Sequence, residues 1–123
     1  MIVGTLLLEI QIPGADSLKS KRQILRKVID RLRSRFNASV SEVANQERWK
    51  IATVGVAVCA NSPSFVEEVL DKIFRTVDSI GELAITYPDR MVAPVAEFDP
   101  SDDEPQNLAE AEALHAAEEE ESR

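Results

Sequence analysis

Eight lysines and arginines, and a single acid (Asp30), fall between Ser17 and Phe36. A cluster of one sign does one chemistry well, the binding of phosphate: Lys acts as a point charge and Arg as a two-pronged fork. At about 100° per residue on a helix, Lys19, Arg22, Arg26 and Arg33 lie within about 60° of one another. They border the stripe Leu18, Leu25, Val28, Ile29, Leu32 and Phe36, which has helical spacing and reads as a buried face. Arg31 and Arg35 border its other side. Lys21 falls almost inside the stripe, where a first-turn ammonium must snorkel or meet a partner. The competing reading is an ordinary solvated helix face. Against it stands the sign imbalance, because a merely soluble face mixes both charges.

Other chemistries find less support. The only His, His115, is far in sequence from the only Cys, Cys59, so no Zn ligand set or Cys-His dyad can be drawn. Glu9 is the one carboxylate well inside an apolar segment, and it reads as a rim residue rather than a general base. One enzymatic reading survives: the loop Pro13 to Ser17 opens a helix N-terminus backed by Lys19, Lys21 and Arg22, where an anion can bind. That loop holds no Arg and a single Gly, and anion binding alone is not catalysis. The sequence therefore reads as non-enzymatic, with no cofactor and no metal. Trp49, between Arg48 and Lys50, reads either as a ring capping the core or as a stacking surface for an unpaired base.

The chain of 123 residues carries a formal net charge of −8, yet the charge is divided. Residues 1–98 hold 13 basic and 12 acidic side chains, and residues 99–123 hold 1 and 10. The expected organisation is one domain over residues 1–97 and an acidic tail over 98–123. In the tail, Asp99 to Pro105 is expected to be a disordered linker and Asn107 to Glu121 a frayed helix. The tail is either a solubilising segment or a transient cover for Lys19, Arg22 and Arg26. No apolar run reaches roughly 18 residues, so no membrane-spanning helix is expected. Residues 1–12 lack the marks of a signal peptide. The lone Cys59, in an apolar run, reads as a buried reduced thiol of a cytoplasmic protein.

These side chains need elements to hold them. Alternation over residues 2–12 predicts a strand, stopped by Pro13-Gly14. The basic helix follows, with Ser17 as N-cap and Asn37 as a left-handed C-cap. Residues 38–45 read as a short edge strand, and residues 49–60 as a central one, rich in β-branched side chains. A second helix starts at Asn61 or Ser62 with Pro63 in its first turn, and carries Val66, Val69, Leu70, Ile73, Val77 and Ile80 on one side. Gly81 ends it. A last strand is expected over residues 82–87, limited by Pro88 and Pro94. The order β-α-β-β-α-β predicts a ferredoxin-like α+β sandwich. Both helices cover one face of a four-stranded antiparallel sheet of order 4-1-3-2. The other face, with Thr5, Leu7, Ala84 and Thr86, is left open and invites a homodimer or a nucleic acid.

Several motifs occur together: Met1-Ile-Val-Gly4, Ile12 through Arg22, Arg33 through Asn37, Val40 through Val43, Trp49, Ala52 through Val56 and Val69 through Lys72. In these the chain resembles the YlxP-like family, a bacterial domain of unknown function, over about residues 1–90. The resemblance implies a small ferredoxin-like protein. It also implies a role near the ribosome, because the family's genes are often found among those for translation initiation and ribosome maturation. It supplies no catalytic residues, and the acidic tail is outside the pattern.

The expected activity is thus RNA binding or ribosome association through Lys19, Lys21, Arg22, Arg26, Arg33 and Trp49. The alternative is a homo-oligomeric module that binds a protein or small ligand through the open sheet face. The two central strands carry no aromatic residue, which argues against sequence readout on the sheet and for backbone contact through the helix.

Overall fold

Strand alternation and helical stripes set the elements. In the computed structural model, which describes residues 1–95, they run β1 (Ile2–Gln11), α1 (Leu18–Arg35), β2 (Ser39–Ala44), β3 (Ile51–Ala60), α2 (Pro63–Asp78) and β4 (Ala84–Pro94). All strand pairs are antiparallel and the order is β2-β3-β1-β4. This is the ferredoxin-like sandwich, with the two most apolar strands in the centre. The acidic tail of residues 98–123, and its proposed cover of α1, lie outside the described residues.

Alternate residues of each central strand form the core. Leu6, Leu8, Ile10 and Ile12 from β1 and its exit, and Ala52, Val54, Val56 and Val58 from β3, face the helices. Leu25, Val28 and Leu32 of α1, and Val66, Leu70, Ile73 and Val77 of α2, close over them. The stripes anticipated from helical spacing are therefore the buried faces. At Gly4, α2 comes so close that an added Cβ would fall inside the side chains of Val66 and Leu70. Gly4→Ala is expected to cost about 1–3 kcal/mol, as overpacking does, read as a lower denaturation midpoint with an unchanged m-value.

The structure corrects three local expectations. First, β4 continues through Pro88 to Pro94. It is an edge strand bonded only to β1, and an edge tolerates a missing N–H on its outer side. A register shift opposite Glu9/Ile10 adds further slack. Second, α1 is capped by Phe36 in an extended conformation (φ −126°), not by a left-handed Asn37. The one non-glycine residue with positive φ among the described residues is Asn45, at 61°. Third, Cys59 is exposed. It pairs with Val3 in register, so it shares the parity of Thr53, Gly55 and Ala57, opposite to the helix-facing valines. Its apolar neighbours in sequence concealed which face it takes.

The face away from the helices is open. Leu7 (41% exposed), Tyr87 (66%) and Met91 (60%) stand on it, in register with Gly55, Glu9 and Thr5 respectively. Leu7 was anticipated there; Met91 was not, because the strand was expected to end before it.

Candidate nucleic-acid interface

A groove runs between α1 and the edge strand β2. Arg22, Arg26 and Arg33 line it from the helix, one or two turns apart, with Asp30 among them; Ser41 and Glu42 line it from the strand. Lys19 is exposed on the same flank one turn earlier. Among the described residues, Lys19, Arg22 and Arg26 enter no ion pair. Two cations near α2 are neutralised. Arg90 of β4 clasps Glu67 (2.9 Å) and Asp71 (2.7 Å) of α2. Burial works against the Arg90 charge, yet these hydrogen bonds outweigh it and hold the guanidinium pKa above its ordinary value. Lys72 pairs with Glu68 one turn away. The α1 flank thus offers unpaired cations to a negative ligand, whereas α2 sets Glu67, Glu68 and Asp71 beside its own.

Lys21 does not belong to that flank. It is 1% exposed, so no phosphate reaches it, and its place among the RNA contacts is withdrawn. The physical reason is its position at the edge of the apolar stripe: the helix turns it inward, and an ammonium there must find protein partners. Its Nζ donates to the Asn45 carbonyl at 2.7 Å and stands 2.9 Å from Glu42 Oε2. That oxygen accepts no hydrogen bond, so the contact is an ion pair. Asn45 in turn donates from Nδ2 to Thr53 Oγ1 at 2.8 Å. The buried lysine thus fastens the first turn of α1 to the end of β2. It also leaves the Pro13 to Ser17 loop with one cation fewer than anticipated, while the Ser17 hydroxyl accepts the Ser20 N–H at 3.0 Å as the helix cap.

Arg33 has two tasks. Its Nε and Nη2 donate to the Val40 carbonyl at 3.2 and 2.6 Å. Val40 is on the outer strand of the sheet, so Arg33 occupies an acceptor that would otherwise be free to pair with another chain. Its remaining N–H groups and its charge still face the groove. Arg33→Ala is expected to raise self-association relative to wild type, measured by light scattering at matched concentration, because the strand edge is then bare.

Trp49 lies before β3 rather than inside it, and is 52% exposed. The core-capping alternative therefore does not describe it. It shares a shallow hollow with Glu47, Arg48, Lys50 and Ile51. Its hairpin lies at the N-terminal end of α1, since Lys21 bonds Asn45 and the Lys50 carbonyl accepts the Ile12 N–H at 2.8 Å. Lys19, Arg22, Arg26 and Arg33 lie together along α1, and Trp49 sits on the adjoining hairpin. Sequence reasoning missed Asn45 and Glu42, the two residues that join hairpin and helix. The one available signal was Asn45 before a polar turn, since Asn tolerates the left-handed region.

A two-layer ferredoxin-like sandwich with one cationic helix flank is the class that fold and surface define. The chain belongs to the DUF503 family of proteins of unknown function, whose model matches residues 3–90. It is 32% identical over 85 residues to the uncharacterized protein YlxP of Bacillus subtilis, covering 69% of this chain and 92% of that protein. Among solved structures, a de novo designed protein with ferredoxin fold aligns over 87% of this chain and 98% of its own, at a TM-score of 0.48 and 16% identity.

Proposed function

We propose that this protein binds RNA through the phosphate backbone and acts, without catalysis, as an accessory factor on RNA or a ribosomal subunit in the cytoplasm. One observation carries the reading: Lys19, Arg22 and Arg26 are exposed on one helix flank with no ion-pair partner among the described residues, and Arg22 and Arg26 line one groove with Arg33. Single-sign cationic surfaces on otherwise neutral domains suit polyanions, which release counterions when bound.

The reading predicts a steep salt dependence. Binding to RNA should weaken with a slope of about −0.7 per phosphate contact on a single strand. Co-sedimentation with ribosomal subunits at low and high salt tests it: retention at low salt and loss at high salt is the expected result, and equal recovery at both contradicts it. The second reading, association through the open sheet face, is favoured by the exposed Leu7, Tyr87 and Met91. Apolar association responds little to salt, so the same titration separates the two.

A further inference from the structure

We infer that the β2–β3 hairpin seats an unpaired base on Trp49, so that the ligand of this face is single-stranded RNA rather than a duplex. The inference rests on the phosphate-binding reading above and adds a ligand class to it.

Three features of the hairpin carry it. The ring is out of the core, at 52% exposure, although an indole gains more from burial than almost any side chain. Its two sequence neighbours are Arg48 and Lys50, which favour a phosphate on either side of a stacked base. And the segment that presents the ring is pinned at both ends. On one side, Asn45 sits at φ 61° and its carbonyl accepts both the Arg48 N–H (3.1 Å) and the buried Lys21 ammonium (2.7 Å). On the other, the Lys50 carbonyl accepts the Ile12 N–H. An aromatic ring on a fixed backbone stacks at a smaller ordering cost, which favours a base platform.

The adjoining helix supplies the backbone track. From Lys19 to Arg33 the helix rises about 21 Å, and its first turn is tied to the hairpin by Lys21. A strand lying along Arg33, Arg26, Arg22 and Lys19 therefore runs toward Trp49. In a duplex the bases are stacked inward and cannot reach the ring, so only a strand with free bases uses both parts of the face.

The protein has a single tryptophan, so intrinsic fluorescence reports this ring alone. The full chain would be titrated with a short oligouridylate, with a blunt RNA duplex of the same length, and with an abasic phosphodiester strand. Oligouridylate is expected to bind most tightly and to quench the fluorescence. The abasic strand is expected to bind more weakly and leave the ring unchanged, and the duplex likewise. Trp49→Leu, which removes that reporter and is therefore followed, like the abasic strand, by anisotropy of end-labelled strands, should weaken oligouridylate binding roughly tenfold or more, leave abasic binding unaltered, and keep the wild-type melting temperature, because the ring is outside the core. Trp49→Phe should recover most of the affinity. If oligouridylate and the abasic strand bind alike, or Trp49→Leu changes neither, the base seat is overturned while phosphate binding stands. If no probe binds at low salt, both readings fall.

Discussion

Lys21→Met is expected to destabilise the protein by about 3–5 kcal/mol, the usual loss when one partner of a buried ion pair is removed. The thioether keeps the stem and most of the volume, so the loss isolates the ammonium. Without it, Glu42 keeps a carboxylate whose Oε2 is buried and has no hydrogen bond, and the Asn45 carbonyl loses a 2.7 Å donor. A second substitution, Glu42→Leu, should recover much of the loss in the Lys21→Met background, because removing both charges takes away the unpaired one. Urea unfolding of the two single variants and the double variant gives the coupling directly. A Lys21→Met protein within about 1 kcal/mol of wild type would show that water reaches the pair.

The same lysine explains how a short helix flank and a distant turn become one surface. An edge strand of six residues, with a register shift between Glu42 and Ala44, is a weak support for a hairpin. The bonds from Lys21 to Asn45 and from Asn45 to Thr53 stiffen it at its base. Burying a charge in a small core is costly, and here its return is position rather than stability. The loss of Lys21 should accordingly disturb the Trp49 hairpin more than the central strands, an effect that amide exchange can map.

The fold was legible because independent signals agreed. The helical stripes, the Pro13-Gly14 stop, the capping serines Ser17 and Ser62, and the greater apolar content of β1 and β3 all point to one topology. What could not be read is what depends on neighbours distant in sequence. The place of Lys21 at the stripe called for a partner, but that Glu42 and Asn45 come to meet it depends on the sheet. Cys59 has the neighbours of a core residue and is exposed because strand parity, set by pairing with β1, turns it outward. Pro88 looked like a strand terminator, and only its place at the sheet edge makes it acceptable. Of the candidate contacts, Lys19, Arg22 and Arg26 are as open as helical spacing suggested, Arg33 is shared with the Val40 carbonyl, and Trp49 proves to be exposed.

The second large effect concerns binding. Changing Arg22 and Arg26 together to Gln is expected to lower RNA affinity roughly tenfold or more at low salt, since each guanidinium contributes a charge-assisted contact. The slope of log affinity against log salt should become shallower by about 0.7 for each phosphate contact removed. Stability should hardly change, within about 0.5 kcal/mol, because both side chains are exposed and bond to nothing the fold needs. Net charge alone would also weaken binding, so the control is a pair with the same charge change on the other flank. Lys27 and Arg31 serve, since they lie beside Gly81 and Glu82 rather than in the groove toward β2. Lys27→Gln with Arg31→Gln should cost far less affinity and leave the salt slope nearly as steep as in wild type. Equal losses from the two pairs would mean that the whole helix attracts RNA diffusely, and the groove between α1 and β2 would then have no claim as the site.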